Sequence, residues 1–212
     1  MFPEYVNSLN LKKPDGISLT ADNYLDYLKN EIIRSAQIAK NAGADIPDNI
    51  GFSFNSSAHG EYITDLDMTT YLNYVVSTQP LKGVPAFDSQ IEGINKGSGE
   101  NEEFGDWTGT SVNFTDYTAQ KNNTSITDEV RRNVRLLNPM SFIGDDKTTV
   151  AQHWYIRHGA RDRDTAFPIP LNFATKLQNA GKDVDFLLAW NRPHSGDYAL
   201  DELFQWIARV VE

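Results

Sequence analysis

The second half of the chain predicts an α/β fold, because strand-like and helix-like segments alternate after residue 148. Val150–Arg157 and Val184–Trp190 are short apolar stretches with strand character, and each is followed by a turn and then by a helix-length segment. The helix-length segments are Phe167–Ala180 and Leu200–Val211. Alternation of this kind brings consecutive strands together in parallel, with the helices packed on the sheet. We therefore predict two neighbouring parallel strands, preceded by a mostly helical, loop-rich region.

Three helices are predicted in that preceding region. The first covers Thr20–Gly43, a second begins near Thr64 as its cap and ends before Pro80, and a third covers Ser125–Leu137. Residues 81–124 are rich in Gly, Ser, Asn and acidic residues and predict an ordered, loop-rich segment. The residues expected to face inward on the first two helices are Leu25, Leu28, Ile32, Ala36, Ala39, Met68, Leu72, Val75 and Val76.

Composition excludes several classes of function. Nineteen basic and 29 acidic residues give a net charge of −10, which opposes binding to nucleic acid or to an anionic membrane. The chain has no cysteine, so thiolate ligands and a thiol nucleophile are excluded. No apolar run of about eighteen residues and no signal-peptide pattern occurs, so any signal would lie outside these residues. The compartment, cytoplasmic or secreted, stays open.

Each predicted strand of the second half ends in a turn that carries a chemically useful side chain. Asp162 follows the first strand and His194 follows the second, 32 residues later, a spacing that fits one helix and one strand. A histidine general base needs a carboxylate on its other nitrogen, and the last two strands of an α/β-hydrolase deliver such a pair. The alternative is that His194 is a loop residue and Asp162 a helix cap.

The nucleophile of such a triad is missing from the sequence. No Gly-x-Ser-x-Gly motif occurs, and the three nearest patterns lack the closing glycine. Their serines are Ser18, Ser53 and Ser111. The chain is therefore expected to be part of an enzyme, inactive by itself.

Other polar residues near these turns could bind a ligand or cap a helix. Asp164, two residues after Asp162, either caps the next helix or accepts hydrogen bonds from substrate hydroxyls. His153 and His158 lie five apart in a strand and point to opposite faces, so they do not predict a metal site. His59 has no spaced carboxylate partner. We expect no metal and no cofactor.

Residues 153–167 (HWYIRHGARDRDTAF) and 190–198 (WNRPHSGDY) closely resemble the C-terminal part of bacterial tannases and feruloyl-esterase-like serine esterases of the α/β-hydrolase fold. The resemblance implies that 148–212 is the C-terminal hydrolase segment and that 1–147 is a lid inserted before it. It further implies that Asp162 is the triad acid and His194 the triad base. Asp164 would bind a phenolic hydroxyl of a galloyl-type acyl group.

The same resemblance implies two substrate-binding residues in the lid. Lys82 and Glu100 correspond to a lysine and a glutamate that grip the phenolic ring, although Glu102 or Glu103 could take the place of Glu100. The substrate would then be a small phenolic-acid ester of galloyl or feruloyl type. The partner would be the missing N-terminal half of the same enzyme, which carries the serine.

Two other functions remain open at this point. A general carboxylesterase or a prolyl-oligopeptidase-like peptidase also ends its last strands in Asp and His turns, and would hydrolyse simple esters or peptides without preference for phenolic acids. A non-catalytic interaction module would instead associate through an exposed sheet edge. Compact, monodisperse behaviour in solution would favour the module.

Overall fold

A computed structural model describes residues 2–58, 60–78, 88 and 99–212. The chain divides into two compact units, one formed by residues 1–80 together with 151–212 and the other by 81–150. Residues 1–80 thus belong to the same compact unit as the C-terminal segment, and the division into 1–147 and 148–212 stays a prediction. The lid function assigned to 1–147 stays a prediction.

The described residues form eight α-helices and four strands. The first unit contains α1 (Phe2–Ser8), α2 (Ala21–Asn41), β1 (Phe52–Ser57), β2 (Gly60–Leu66), α3 (Met68–Ser77), β3 (His153–Gly159), α7 (Pro168–Asn179), β4 (Asp183–Ala189) and α8 (Leu200–Val211). The second contains α4 (Gly99–Glu103), α5 (Asp116–Lys121) and α6 (Asp128–Leu137). Within the described ranges no helix is both long and apolar enough to cross a bilayer.

Strands β3 and β4 pair in parallel, with His153 opposite Asp183 and Gly159 opposite Ala189. Side chains alternate between the two faces of a strand. Trp154 of β3 accordingly contacts Phe173 of α7, whereas Tyr155 contacts Trp206 of α8. The predicted parallel pair with helices packed on the sheet is confirmed, and its membership of a larger α/β-hydrolase sheet stays a prediction.

Helix α2 covers the outer edge of β4. The Ser35 hydroxyl accepts a hydrogen bond from the Leu188 amide at 3.1 Å, and the Arg34 guanidinium donates to the Phe186 carbonyl at 2.7 Å. Both backbone groups point away from β3, so two helix side chains satisfy groups that a further strand would otherwise bind. An uncovered strand edge invites pairing with another strand. The side chains of α2 occupy this edge, so the sheet ends at β4.

The buried face of α2 differs from the predicted one. Leu28, Ile32 and Ala36 are buried as expected, whereas Leu25 is 56% exposed. Tyr24 and Tyr27 are buried instead, and both hydroxyls are hydrogen-bonded to side chains of α7. The Tyr24 hydroxyl donates to Asn172 at 2.8 Å, and the hydroxyls of Tyr27 and Thr175 are 3.0 Å apart.

The second helix begins later than predicted, at Met68 and not near Thr64. Strands β1 and β2 form an antiparallel hairpin, so Thr64 lies in a strand and the cap of α3 is Asp67, whose carboxylate accepts from the Thr70 amide. The apolar alternation of Phe52 and Phe54 is a strand signal that the prediction did not use. On α3, Tyr71 is buried with Met68 and Val75, and the predicted core residues Leu72 and Val76 are exposed.

Candidate active site

The turns that follow β3 and β4 are joined by backbone hydrogen bonds. The Ala160 amide donates to the Ala189 carbonyl and the Arg161 amide to the Arg192 carbonyl, each at 2.9 Å. Gly159 permits this approach, because a Cβ at that position would overlap the carbonyl oxygens of Arg192 and Pro193. The two turns therefore lie against one another at the carboxyl ends of the strands.

Asp162 lies in the first turn and is buried. Its Oδ1 atom accepts hydrogen bonds from the backbone amides of Asp164 at 2.8 Å and Thr165 at 2.9 Å. Its Oδ2 atom is 3.0 Å from Nδ1 of His194 in the second turn. The structure thus brings the two predicted catalytic side chains together in a partly buried contact with a carboxylate acceptor.

His194 is about a third exposed, and its ring is oriented by the carboxylate. Thr165 adds a weaker contact, with its hydroxyl 3.4 Å from Nδ1. Because Nδ1 faces Asp162, Nε2 is the nitrogen that can exchange a proton with another molecule. Two residues of this turn, Asn191 and Ser195, adopt the left-handed conformation with φ of 55°.

Asp164 lies at the same site. One carboxylate oxygen of Asp164 is within 4.8 Å of ligand atoms of Asp162 and His194. The alternative function as a helix cap has no support, because α7 begins after Phe167 without a side-chain cap hydrogen bond. Among the described residues, these three groups could hold a cation. The Asp162–His194 hydrogen bond occupies two of the potential ligand atoms, so the arrangement favours proton transfer over metal binding.

Residues of the first eighty positions make hydrogen bonds to the turn that carries Asp162. The Tyr71 hydroxyl of α3 is buried and donates to the Ala160 carbonyl at 2.6 Å, while its ring stacks on Phe167 with centroids 6.4 Å apart. The Arg163 guanidinium donates to the Val76 carbonyl at 2.7 Å. Neither contact was predicted, because residues nearly ninety positions apart give no local signal.

His158 is a further residue that sequence reasoning passed over, since only its place in a metal pair was considered. It is buried at the end of β3, with Nε2 3.6 Å from Oδ2 of Asp162 and with that nitrogen lacking a hydrogen-bond partner. Burial lowers the pKa of His158, an effect that Asp162 opposes and His194 reinforces. The ring is therefore held in its neutral form.

The predicted substrate-binding residues of the lid are less fully described. Lys82 lies outside the described residues, and Glu100 is half-buried on α4. The neighbour of Glu100, Asn101, is completely buried and donates to the Asp88 carboxylate at 2.8 Å and the Val112 carbonyl at 2.6 Å. The Asp88 carboxylate also accepts from the backbone amides of Phe114 and Thr115. A buried carboxylate thus holds α4, and with it Glu100, in the second unit.

Comparison with known proteins identifies the relatives of the chain. No protein-family model and no curated protein matches it. Solved structures match all of it: a native tannin acyl hydrolase from Lactobacillus plantarum at 36% identity and a TM-score of 0.85, a tannin acyl hydrolase in complex with ethyl gallate at 36% and 0.84, and a tannase from Fusobacterium nucleatum at 34% and 0.82.

The chain is similar to part of the bacterial tannases. It spans 44–45% of the length of these structures, so less than half of each relative corresponds to it. The resemblance predicted from residues 153–167 and 190–198 is confirmed, and it extends over all 212 residues.

Proposed function

We propose that this chain supplies the acid and the base of a Ser-His-Asp triad in a tannase-like esterase that hydrolyses galloyl-type phenolic esters. The observation that carries the proposal is the 3.0 Å contact between Asp162 and His194 at the ends of adjacent parallel strands. The similarity of the whole chain to tannin acyl hydrolases supports the substrate class.

The geometry of the pair supports a general-base function. Asp162 holds Nδ1 of His194, so Nε2 takes the proton of a serine hydroxyl as the serine attacks the ester carbonyl. The imidazolium then returns this proton to the leaving alcohol, and water deacylates the enzyme by the same steps. The hydrogen bonds to both oxygens of Asp162 hold the carboxylate in the orientation that stabilises the imidazolium.

We assign the serine to sequence outside this chain. The 212 residues lack a Gly-x-Ser-x-Gly motif and correspond to less than half of each matched tannase. The partner is then the half that carries the nucleophile. Its strands would join at β3, because α2 covers the outer edge of β4 and no described strand pairs with the outer edge of β3.

Selectivity for phenolic acids would come from Asp164, Lys82 and Glu100. The carboxylate of Asp164 lies beside the pair and can accept hydrogen bonds from ring hydroxyls. A site built to bind hydroxyls rejects an analogue that lacks them, since its polar groups are left unpaired. Among the matched structures, one is a tannin acyl hydrolase in complex with ethyl gallate and one is in complex with 3,4-dihydroxybenzoate.

The proposal is tested by joining the chain to the nucleophile-bearing part of the Lactobacillus plantarum tannase. The fusion should react with a fluorophosphonate and hydrolyse methyl gallate, and His194→Gln should abolish both activities. The chain alone should not react. Stoichiometric labelling of the chain alone that is lost in His194→Ala would show an internal nucleophile and refute the assignment of the serine.

The same fusion tests the substrate class. Asp164→Ala should reduce kcat/KM for methyl gallate at least about tenfold more than for methyl benzoate, because only the gallate loses hydrogen-bonded hydroxyls. Asp162→Asn is the control, since loss of the triad acid lowers both rates alike. Equal losses with Asp164→Ala, or turnover of nitrophenyl acetate without preference for gallate, would favour a general carboxylesterase.

A further inference from the structure

One group at the site has no part in the triad chemistry, although it lies against the acid. The His158 ring is buried between the Asp162 carboxylate and Phe167, with ring centroids of His158 and Phe167 5.6 Å apart. One ring nitrogen is hydrogen-bonded to the Thr165 backbone. The other, Nε2, has no hydrogen-bond partner among the described residues and lies 3.6 Å from Oδ2 of Asp162, beyond hydrogen-bond range.

Two imidazoles therefore face one carboxylate oxygen, at 3.0 Å and 3.6 Å. Burial penalises the charged form more strongly at His158, whose side chain is 8% exposed, than at His194, whose side chain is 35% exposed. The charged groups that act on His158 are Asp162 from the turn after β3 and His194 from the turn after β4.

We propose that His158 is a positioning residue for the Asp162–His194 pair: its neutral ring seals the buried side of the carboxylate against water and leaves Oδ2 to His194. The inference rests on the proposed function, in which this pair is the acid and base of the triad. A dry carboxylate interacts more strongly with an imidazolium than a hydrated one does. A residue that hydrogen-bonded to Oδ2 would instead weaken its contact with His194.

The test measures the pKa of His194 in the chain itself by NMR of the imidazole nitrogens, since the chain has only four histidines. His158→Ala opens space for water and should lower the pKa of His194 by about half a unit or more. His158→Gln, which resembles histidine in size, brings an amide donor towards Oδ2 and should lower it too. His158→Phe fills the space without a donor and should leave the pKa of His194 unchanged or raised.

The outcomes separate the two inferences. The positioning function would be overturned if the pKa of His194 stayed at the wild-type value in the Ala and Gln variants. It would also be overturned if His158→Phe lowered the pKa of His194 and His158→Gln kept it at the wild-type value. If His158 only stabilised the fold, all three variants would lower the thermal stability. The pKa of His194 would then not be lowered in the Ala and Gln variants while staying unchanged or rising in the Phe variant. Asp162→Asn is the reference: if it leaves the pKa of His194 unchanged, the catalytic pair itself fails, and the proposed function with it.

Discussion

At the scale of single residues, the site depends on one glycine as much as on its acid and base. Gly159 ends β3 and faces the backbone of the turn that carries His194. Any side chain there would push the carbonyl oxygens of Arg192 and Pro193 away, and His194 with them. The glycine is required for close approach, because its own φ is not in the left-handed region.

Gly159→Ala should therefore reduce the free energy of unfolding by about 1–3 kcal/mol, the usual effect of an overpacked contact that forces the backbone to shift. It should also weaken the Asp162–His194 contact, which the pKa of His194 would report. Gly99→Ala is the control, since a Cβ there meets nothing within 4 Å. Chemical denaturation of both variants makes the comparison, and equal effects would contradict the close approach.

The buried neutral state of His158 predicts a pH dependence of stability. Its pKa in the folded chain is below the ordinary value of 6.5, mainly through burial, so the unfolded chain binds this proton more readily. Stability that is complete above about pH 6.5 should be lost as the pH falls through the lowered pKa, by at most about 1.4 kcal/mol per pH unit.

Denaturation of wild type and His158→Phe at pH 7.5 and 5.5 measures this effect. The wild-type chain should lose more stability on acidification than the variant, whose residue 158 does not titrate. Identical losses would mean that His158 does not resist protonation in the folded chain.

At the scale of elements, the second unit is organised by Asp88. Its carboxylate accepts hydrogen bonds from Asn101, Asn113, Thr115 and the Phe114 amide, and these residues connect α4 to the start of α5. Burial acts to raise the pKa of Asp88, but the hydrogen bonds from Asn113, Thr115 and Asn101 outweigh it and hold the pKa below its usual value.

Asp88→Ala should destabilise the unit of residues 81–150 by more than about 2 kcal/mol, because it leaves buried donors without an acceptor. Limited proteolysis should then cleave this unit faster while the remainder of the chain resists. Asp106→Ala is the matched control, since Asp106 also accepts backbone hydrogen bonds from its own turn but is exposed. Cleavage rates that rise equally in both variants would contradict the central position of Asp88.

At the scale of the whole molecule, the described residues leave an exposed apolar surface on α8. Helix α8 contacts β3 and exposes an apolar face with i, i+4, i+7 and i+11 spacing. That face consists of Leu200, Phe204, Ile207 and Val211. Contiguous exposed apolar surface of this kind indicates an interaction site. The proposed partner is the half of the enzyme that carries the nucleophile.

In the absence of that half, the chain should self-associate through this surface. Phe204→Glu should shift the population towards monomer in light-scattering measurements on size-exclusion fractions, because a charge in an apolar contact is costly to bury. Trp107→Glu is the control, since Trp107 is 96% exposed on the other unit. A monodisperse wild-type monomer would favour the non-catalytic module.

The sequence by itself determined the parallel β3–β4 pair, helices α2, α6, α7 and α8, the candidate acid and base, and the resemblance to tannases. Each of these depends on local periodicity or on a short run of residues, which the chain displays directly. The β1–β2 hairpin was missed, and the prediction that Leu72 and Val76 of α3 face inward was wrong, because a short stretch of apolar residues fits more than one period.

Only the tertiary structure decided which groups complete the site. Tyr71 reaches Ala160 across 89 positions, Ser35 reaches β4 across 153, and His158 is placed against Asp162 by the packing of α7. Such contacts depend on where the chain returns in space, and a sequence pattern does not encode that position locally. Burial then distinguishes His158 from His194, two imidazoles that share one carboxylate.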